Sequence, residues 1–385
     1  MASSLYDLLR RCHRVELVGL AETVDVRHQD LGLAQLAKRL DQVIRQRGGS
    51  DLANLLTRGG QGPPWVSIVA GLCRAADLPV SGDVEAMERT LLEHWVSEAW
   101  TQLTDEQKTQ AWDELDLPRP MPEDGEELLA IAHEAPQASG VALGTLSTVG
   151  PLLALPILGP FAPIATLLYL TRSRAKELLP AVLEIARLRQ LALHRVTVGV
   201  VGSPSCGKDA AIKAVFGIDS GNIDPVAGST STVAITRLPG ASALYVVNTP
   251  GLGDVVEAVT EEARQVLDLV DVYLYVVNAQ GGVQVRERDD HASVLARGRP
   301  VRVVVNKVDT LREDDRERFL LDVQTKLGLD EPPLAAAFDP LPALSETPIG
   351  VQPVRAWLVS QLVELGKDPA ELAILTEASE PPSAL

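Results

Sequence analysis

A glycine-rich turn between residues 202 and 208 carries the clearest chemistry in this sequence. It reads Gly-Ser-Pro-Ser-Cys-Gly-Lys and follows the apolar run RVTVGVV. Two glycines at this spacing let the backbone curl so that successive N–H groups face a phosphate, and the lysine can reach the outer phosphates of a nucleotide. The residues expected to bind phosphate are Gly202, Ser203, Ser205, Cys206, Gly207 and Lys208.

A second group of polar residues, Asn306, Lys307 and Asp309, follows the valine-rich run VRVVV. A carboxylate at position 309 can accept both the N1–H and the exocyclic N2–H of guanine, while the stem of Lys307 packs along the base. Adenine offers neither donor at that edge. Asp309 is therefore the predicted residue for guanine specificity.

The segment ALYVVNTPG supplies a third polar group, because it places Asn248 and Gly251 directly after an apolar run. The N–H of Gly251 can bind a γ-phosphate. Short valine-rich runs of this kind are typical of strands buried on both faces of a parallel sheet. The fold prediction is an α/β domain with a doubly wound, mainly parallel sheet over residues 195–366, with Lys208 at the start of a helix.

These motifs, in this order, resemble those of the P-loop GTPases, and among them the Era-like and TrmE-like branch. Dynamin-like and immunity-related GTPases are more distant in this comparison. The resemblance implies binding of GTP or GDP with Mg²⁺ and assigns the phosphate loop and Asn306, Lys307 and Asp309 to nucleotide contact. It also implies that the backbone of Ala343 and Leu344, in the segment Ala-Leu-Ser, lies near guanine O6.

The same resemblance places the first switch segment between Gly217 and Val233. Thr230 and Thr232 are the two candidates there for the threonine that senses Mg²⁺ and the γ-phosphate, and the sequence does not choose between them. The predicted catalytic residues are Lys208, Thr230, Thr232 and Gly251.

Two departures from the family pattern affect the expected metal site. Asp209 stands where a Ser or Thr hydroxyl normally binds Mg²⁺, and Asn248 replaces the usual aspartate of the third motif. One negative charge therefore moves from position 248 to position 209. The predicted metal ligands are Asp209, Thr230, Thr232 and Asn248. Leu252 stands where Ras-like enzymes have a water-orienting glutamine, so hydrolysis is expected to be slow or dependent on assembly.

Residues 1–117 carry apolar side chains at helical spacing and predict an α-helical domain, with Asp83 as a helix cap. Two stretches resemble the YaaW-like family of uncharacterised bacterial proteins. They are RQRGGSDLANLLTRGGQGPPWVSIVAGLCRAADLPV and, later, GPFAPIATLLYL followed by LLPAVLEIARLRQL. The resemblance implies a helical N-terminal half and an apolar small-residue segment, but it indicates no particular activity.

An acidic, proline-containing linker is predicted for residues 118–138. Residues 139–194 follow as an apolar segment and a connecting helix. From 139 to 171 the only ionisable side chain is that of Tyr169. This length permits a membrane crossing or a helical hairpin, although four prolines weaken that interpretation. The alternatives are burial in a core and contact with a membrane surface.

The formal net charge of −17 argues against a general nucleic-acid binder. Nucleic acid is not an expected partner, because residues 367–385 predict only a short helix and an acidic tail. The three cysteines form no disulfide or metal pattern and favour a reducing cytoplasm. The amino-terminal residues lack the pattern of a signal peptide.

Three functional hypotheses follow. The first is a guanine-nucleotide switch coupled to the helical N-terminal region and to an unknown protein effector. The second is a dynamin-like GTPase that self-associates through its G domain and contacts membranes through residues 139–171. The third is a pseudo-GTPase scaffold with an altered metal site.

Overall fold

The computed structural model describes residues 4–49, 62–114, 121–125, 127, 178–219, 234–238, 244–249 and 267–377. The chain divides into two compact units, Met1–Arg195 and Val196–Leu385. The boundaries predicted inside the first unit stay predictions.

The described elements of the first unit are helices, as the sequence predicts. They are α1 (Leu5–Arg11), α2 (Arg14–Thr23), α3 (Leu33–Arg47), α4 (Trp65–Ala75), α5 (Val84–Gln102), α6 (Asp105–Glu114) and α7 (Leu179–His194). The helices begin where the sequence supplies caps. The Asp83 carboxylate accepts the N–H of Glu85 at 3.0 Å, and Ser4 and Asp7 form a reciprocal capping box at α1.

An apolar core joins these helices. Leu36, Leu40 and Ile44 of α3 recur at four-residue steps and are fully buried, and α7 packs against α5 and α2. One buried polar cluster lies within this core. Arg189 of α7 forms an ion pair with Glu88 of α5, and the indole Nε1 of Trp65 also donates to Glu88, at 2.5 Å.

The second unit is built on a six-stranded sheet in the order β2-β3-β1-β4-β5-β6 among the described residues. The strands are β1 (Val196–Gly202), β2 (Ala234–Arg237), β3 (Leu244–Asn248), β4 (Val272–Asn278), β5 (Val301–Asn306) and β6 (Leu334–Ala335). β2 runs antiparallel to β3, and the other neighbouring pairs are parallel. The predicted mainly parallel α/β fold is confirmed.

Helices cover both faces of this sheet. They are α8 (Lys208–Phe216), α9 (Val285–Leu295), α10 (Glu313–Leu327), α11 (Val351–Glu364) and α12 (Pro369–Glu377). Side chains alternate between two cores, so that Val198 and Val200 pack with α8 and α11 on one face. Val201 and Tyr275 pack on the other face, with residues of α9 and α10. This burial on both faces explains why the strands are continuous valine-rich runs.

Strand direction determines where the polar motifs meet. β1, β4 and β5 are parallel neighbours, so their carboxyl ends, at Gly202, Asn278 and Asn306, lie at the same edge of the sheet. In doubly wound folds ligands bind outside this edge. At the opposite edge Nζ of Lys367 forms a buried ion pair with Oδ1 of Asp271, at 3.0 Å.

Residues 139–171 lie outside the described residues, so the membrane contact predicted for them stays a prediction. No described helix combines the length and the apolar character needed to span a bilayer. Cys12, Cys73 and Cys206 are buried, and none of them forms a disulfide.

Candidate functional site

The predicted phosphate loop lies between β1 and α8. β1 ends at Gly202, and Gly207 caps α8 in the left-handed conformation, with φ 92°. A Cβ at position 202 would lie 2.3 Å from the carbonyl oxygen of Val276, and one at position 207 would lie 2.2 Å from Nδ2 of Asn306. Both positions therefore require glycine, because neighbouring atoms fill the space that a side chain would need.

The ammonium group of Lys208 lies inside this loop. Nζ donates hydrogen bonds to the carbonyl oxygens of Gly202 at 3.1 Å and Ser203 at 3.2 Å, and the side chain is buried. The N–H groups in the first turn of α8 add the positive end of a helix dipole at the same place. An anion that enters the loop thus meets a full and a partial positive charge.

The loop contacts the second predicted motif directly. Nδ2 of Asn306 donates to the carbonyl oxygen of Cys206 at 2.9 Å, and Nζ of Lys307 donates to the carbonyl oxygen of Ser205 at 3.1 Å. Ser205 has a φ of 60°, which is unusual for a residue with a side chain. Residues about 100 positions apart are thereby brought into contact, and the site predicted from them stays a prediction.

Asp309 is held in place by the loop that follows β6. It lies in the 3₁₀ turn Val308–Thr310, and its Oδ2 accepts the N–H of Leu341 at 3.0 Å. The neighbouring Asn306 accepts the N–H of Phe338 at 3.0 Å through Oδ1. A carboxylate has about four lone-pair sites, so the bond to Leu341 leaves Asp309 able to accept hydrogen bonds from a ligand.

Ala343 and Leu344 lie further along this loop and are exposed. The N–H of Leu344 donates to the carbonyl oxygen of Leu341 at 2.7 Å, which connects the segment to Asp309 through Leu341. The backbone N–H groups that bind the side chains of Asn306 and Asp309 are those of Phe338 and Leu341. A contact of Ala343 or Leu344 with guanine O6 stays a prediction.

The two residues that depart from the family pattern are bonded to each other. Nδ2 of Asn248 donates to Oδ1 of Asp209 at 2.8 Å. Asn248 is buried, and its Oδ1 finds no hydrogen-bond partner among the described residues. A carboxylate and a buried amide oxygen thus lie together beside the phosphate loop.

Three predicted site residues, Thr230, Thr232 and Gly251, lie outside the described residues. Their roles in sensing Mg²⁺ and the γ-phosphate stay predictions. Cys206 is described and fully buried. Burial raises the pKa of its thiol, against a smaller opposing effect of the Lys208 charge. The thiol is therefore neutral at pH 7 and adds no charge to the site.

Sequence reasoning missed two residues that contact the phosphate loop. Glu287 of α9 accepts a hydrogen bond from Oγ of Ser203 at 2.6 Å, and Asn278, at the end of β4, donates to the carbonyl oxygen of Ser205 at 3.5 Å. A signal exists for the first, because Gln284 and Glu287 have the spacing of a capping box. Asn278 could have been found from its position at the end of a strand beside β1.

A family match lies within the second unit. Residues 197–307 match the model of a family described as 50S ribosome-binding GTPase. MnmE, a tRNA modification GTPase of Cupriavidus metallidurans, is 29% identical over 154 residues, covering 36% of this chain and 32% of its own length. GTPase Der of Lactococcus lactis subsp. cremoris is 30% identical over 149 residues, covering 35% and 34%. The chain thus spans about a third of the length of these relatives.

Among solved structures, a variant of Aquifex aeolicus Era bound to GDP and aluminium fluoride is 26% identical. The alignment covers 37% of this chain and 52% of that chain, with a TM-score of 0.31. The family match covers the segment that holds the phosphate loop and Asn306. The chain therefore contains a P-loop GTPase G domain, homologous to those of Der and MnmE.

Proposed function

We propose that this protein is a guanine-nucleotide switch whose second unit binds GTP and GDP with Mg²⁺. The observation that carries the proposal is the direct bonding between two motifs. Asn306 and Lys307 donate to the carbonyl oxygens of Cys206 and Ser205, so the base-recognition motif and the phosphate loop form one continuous surface. A nucleotide needs both parts at once, the first for its base and the second for its phosphates.

Phosphate binding follows from the charges at the loop. The Lys208 ammonium is buried beside the N-terminus of α8, where water screens its attraction for an anion less than at an exposed site. Its present partners are the neutral carbonyl oxygens of Gly202 and Ser203. A phosphate oxygen is a stronger, charged acceptor and would replace them.

Guanine preference follows from Asp309. Its orientation is fixed by the N–H of Leu341, so the carboxylate does not have to be ordered when a base arrives. The carboxylate would accept charge-assisted hydrogen bonds from both N1–H and N2–H of guanine, so guanine would bind more tightly than adenine. Adenine would place its N1, which is an acceptor, against the carboxylate.

The residues near the phosphate loop fit a magnesium ion. Mg²⁺ takes oxygen ligands, and the Asp209 carboxylate and the unsatisfied Oδ1 of Asn248 are oxygens of the required kind. We assign the ion to these two residues, with Thr230 or Thr232 as a further ligand. When bound, Mg²⁺ would offset the phosphate charge that Asp209 would otherwise repel.

Hydrolysis is proposed to be slow in the isolated chain. Catalysis of phosphoryl transfer depends on positioning the metal and the attacking water, and Leu252 cannot orient water. For faster hydrolysis, a G domain of this kind would need a water-orienting side chain from a second copy of the chain or from another protein. Turnover that rises more than in proportion to protein concentration would support self-association through the G domain.

The proposed output of the switch is the helical first unit. Helix α7 belongs to that unit, and only Arg195 separates it from β1, which ends in the phosphate loop. Exchange of GDP for a GTP analogue should therefore change amide hydrogen exchange in α7. An unchanged α7 would contradict the coupling.

The effector is proposed to be a protein in the cytoplasm. The family name and the name of MnmE connect those proteins with ribosomes and tRNA. In this chain residues 195–385 carry 27 acidic and 17 basic side chains, which disfavours contact with RNA phosphates through the G domain.

Calorimetry with GTP, GDP and ATP, each with Mg²⁺, tests nucleotide choice. The expected result is binding of the two guanine nucleotides and at least tenfold weaker binding of ATP. Asp309→Ala should abolish the preference, and Asp330→Asn, at an exposed position, is the matched control. Equal affinity for ATP, or an unaffected Asp309→Ala variant, would overturn the proposal.

A further inference from the structure

The phosphate loop is fastened from outside by a carboxylate that belongs to none of its sequence motifs. Oγ of Ser203, the second residue of the loop, donates to Oε1 of Glu287 at 2.6 Å. The two residues are 84 positions apart in the chain. A hydrogen bond of this length to a carboxylate belongs to the stronger class.

Glu287 is itself held by two further contacts. Its Oε2 accepts the N–H of Gln284 at 2.9 Å, and its backbone carbonyl oxygen accepts the hydroxyl of Tyr275 at 2.9 Å. Tyr275 lies in β4, which pairs with β1, and is fully buried. The carboxylate therefore projects from the first turn of a helix that is anchored to the central sheet, so its position is set before it meets Ser203.

Ser203 also connects Glu287 with the lysine of the loop. Its side chain bonds to Glu287, while its carbonyl oxygen accepts the ammonium of Lys208 at 3.2 Å. A change in the backbone at Ser203 would disturb both bonds. The side-chain hydrogen bond of Ser203 thus helps to set the conformation of the loop, together with the carbonyl oxygen of Gly202, which also binds the lysine ammonium.

We propose that Glu287 is a positioning residue, which holds Ser203 so that the loop keeps its phosphate-binding conformation and releases nucleotide slowly. This inference rests on the nucleotide binding proposed above. It assigns to α9 a part in setting nucleotide lifetime, although α9 carries none of the recognised motifs.

Two effects of Glu287 on a bound nucleotide have opposite signs. Its hydrogen bond to Ser203 orders the loop and slows release, whereas its negative charge repels phosphate and speeds release. The Glu287 carboxylate lies at the N-terminus of α9 and accepts two hydrogen bonds. The helix dipole and these two donors offset part of its negative charge. The ordering effect is therefore expected to dominate.

The variants Ser203→Ala and Glu287→Gln change these two effects in different combinations. Ser203→Ala removes the hydrogen bond and keeps the charge. Glu287→Gln removes the charge and one of the two acceptor oxygens. Loss of one hydrogen bond to a charged group corresponds to about a tenfold change in a rate or equilibrium constant. Ser203→Thr keeps the hydroxyl and should restore slow release.

The experiment measures release of a fluorescent GDP, N-methylanthraniloyl-GDP, from the full chain by stopped flow. Both single variants should release it about tenfold faster than the natural chain, and the double variant no faster than either. Asp289→Asn, which removes an exposed charge from the same helix, should release it at the natural rate. Thermal unfolding of each variant separates loop positioning from a general loss of stability.

The proposal would be overturned if Ser203→Ala released the fluorescent GDP at the natural rate, or if Glu287→Gln released it more slowly than the natural chain. Additive effects of the two substitutions in the double variant would also overturn it. Amide hydrogen exchange of residues 202–208 without nucleotide provides an independent measurement. Faster exchange in Ser203→Ala supports the positioning role even if guanine nucleotides do not bind, and unchanged exchange contradicts it. Failure of nucleotide binding in the natural chain would instead remove the proposed function.

Discussion

Asn248 and Asp209 form a hydrogen bond of 2.8 Å across the end of the phosphate loop. These are the two positions at which the sequence departs from the usual metal-site pattern, and they lie 39 residues apart in the chain. The departures are therefore one local rearrangement. The carboxylate usual at position 248, at the end of β3, is replaced by an amide, and its bonded partner at position 209 carries a carboxylate instead. Position 209 lies in the first turn of α8, where the helix dipole stabilises a negative charge.

This pairing predicts that the two positions are coupled. Asn248→Asp alone places two carboxylates in contact, where like charges destabilise each other. Asp209→Ser alone leaves the metal site without a carboxylate. Each single variant should weaken Mg²⁺-dependent GTP binding about tenfold, and the double variant should recover most of the loss. Calorimetry at several Mg²⁺ concentrations measures all four proteins.

The control is GDP binding in the presence of a chelator, which should differ much less among the four proteins. If the double variant loses as much free energy as the two single variants together, the positions act independently. That result would contradict the proposal that Asp209 and Asn248 form one rearranged metal site.

The carboxylate of Asp309 gives a second prediction, a change of base preference. Asp309→Asn places an amide donor and an acceptor at this position. Xanthine has a carbonyl oxygen where guanine has its N2 amino group. The asparagine oxygen can accept the N1–H of xanthine while its NH2 group donates to that carbonyl oxygen. Asp309→Asn should bind GDP about 10- to 100-fold more weakly and should bind xanthosine diphosphate more tightly than the natural chain does. Competition against a fluorescent nucleotide measures both changes.

Asp330→Asn again serves as the control, because it removes an exposed charge that has no role in the proposed site. Equal weakening toward both diphosphates in Asp309→Asn would show that the substitution disturbs the loop after β6 rather than base recognition. That result would contradict the role of Asp309.

The sequence predicted those features that depend on neighbours along the chain. The helix Leu33–Arg47 follows from its apolar spacing, and the cap at Asp83 follows from local residue types. The phosphate loop and the Asn306 motif were predictable because their residue types and spacing follow from the chemistry of a nucleotide. Parallel strand order then brings them to one edge of the sheet.

The sequence could not predict contacts between surfaces that only tertiary packing brings together. The bond from Ser203 to Glu287 spans 84 residues, and the ion pair of Arg195 with Glu16 spans 179 residues. Single arginine and glutamate residues are usually solvent-exposed, so nothing in the sequence marks these as buried partners. The Asn248 and Asp209 exchange was recognisable as a charge shift, but its hydrogen bond required the fold.

The Glu16 and Arg195 pair gives a prediction about acid stability. Burial alone would raise the pKa of Glu16, but the Arg195 charge and the N–H of His13 outweigh it and lower the pKa from 4.5 to about 2. A lowered folded-state pKa contributes stability above pH 4.5, and this contribution is lost as the pH falls from 4.5 toward 2. The full contribution corresponds to about 3 kcal/mol.

Glu16→Gln should therefore lower the free energy of unfolding at pH 7, and its difference from the natural chain should shrink steadily below pH 4.5. Urea unfolding between pH 3.5 and pH 7 measures this, with the exposed Glu22→Gln as the matched control. A difference that stays constant with pH would contradict the lowered pKa.

The buried cluster of Arg189, Glu88 and Trp65 predicts strong coupling within the first unit. Arg189 joins α7 to α5, and its side chain is about 2% exposed, so loss of Glu88 would leave a buried charge with weaker partners. Glu88→Leu should destabilise the unit by about 3–5 kcal/mol, because an ion pair broken from one side leaves an uncompensated charge. Replacing both, as Glu88→Leu with Arg189→Met, should restore part of that stability, because the buried indole N–H of Trp65 still loses its acceptor. Chemical unfolding followed by tryptophan fluorescence measures the cycle, and a double variant as unstable as the single one would show that the ion pair is not what couples α5 to α7.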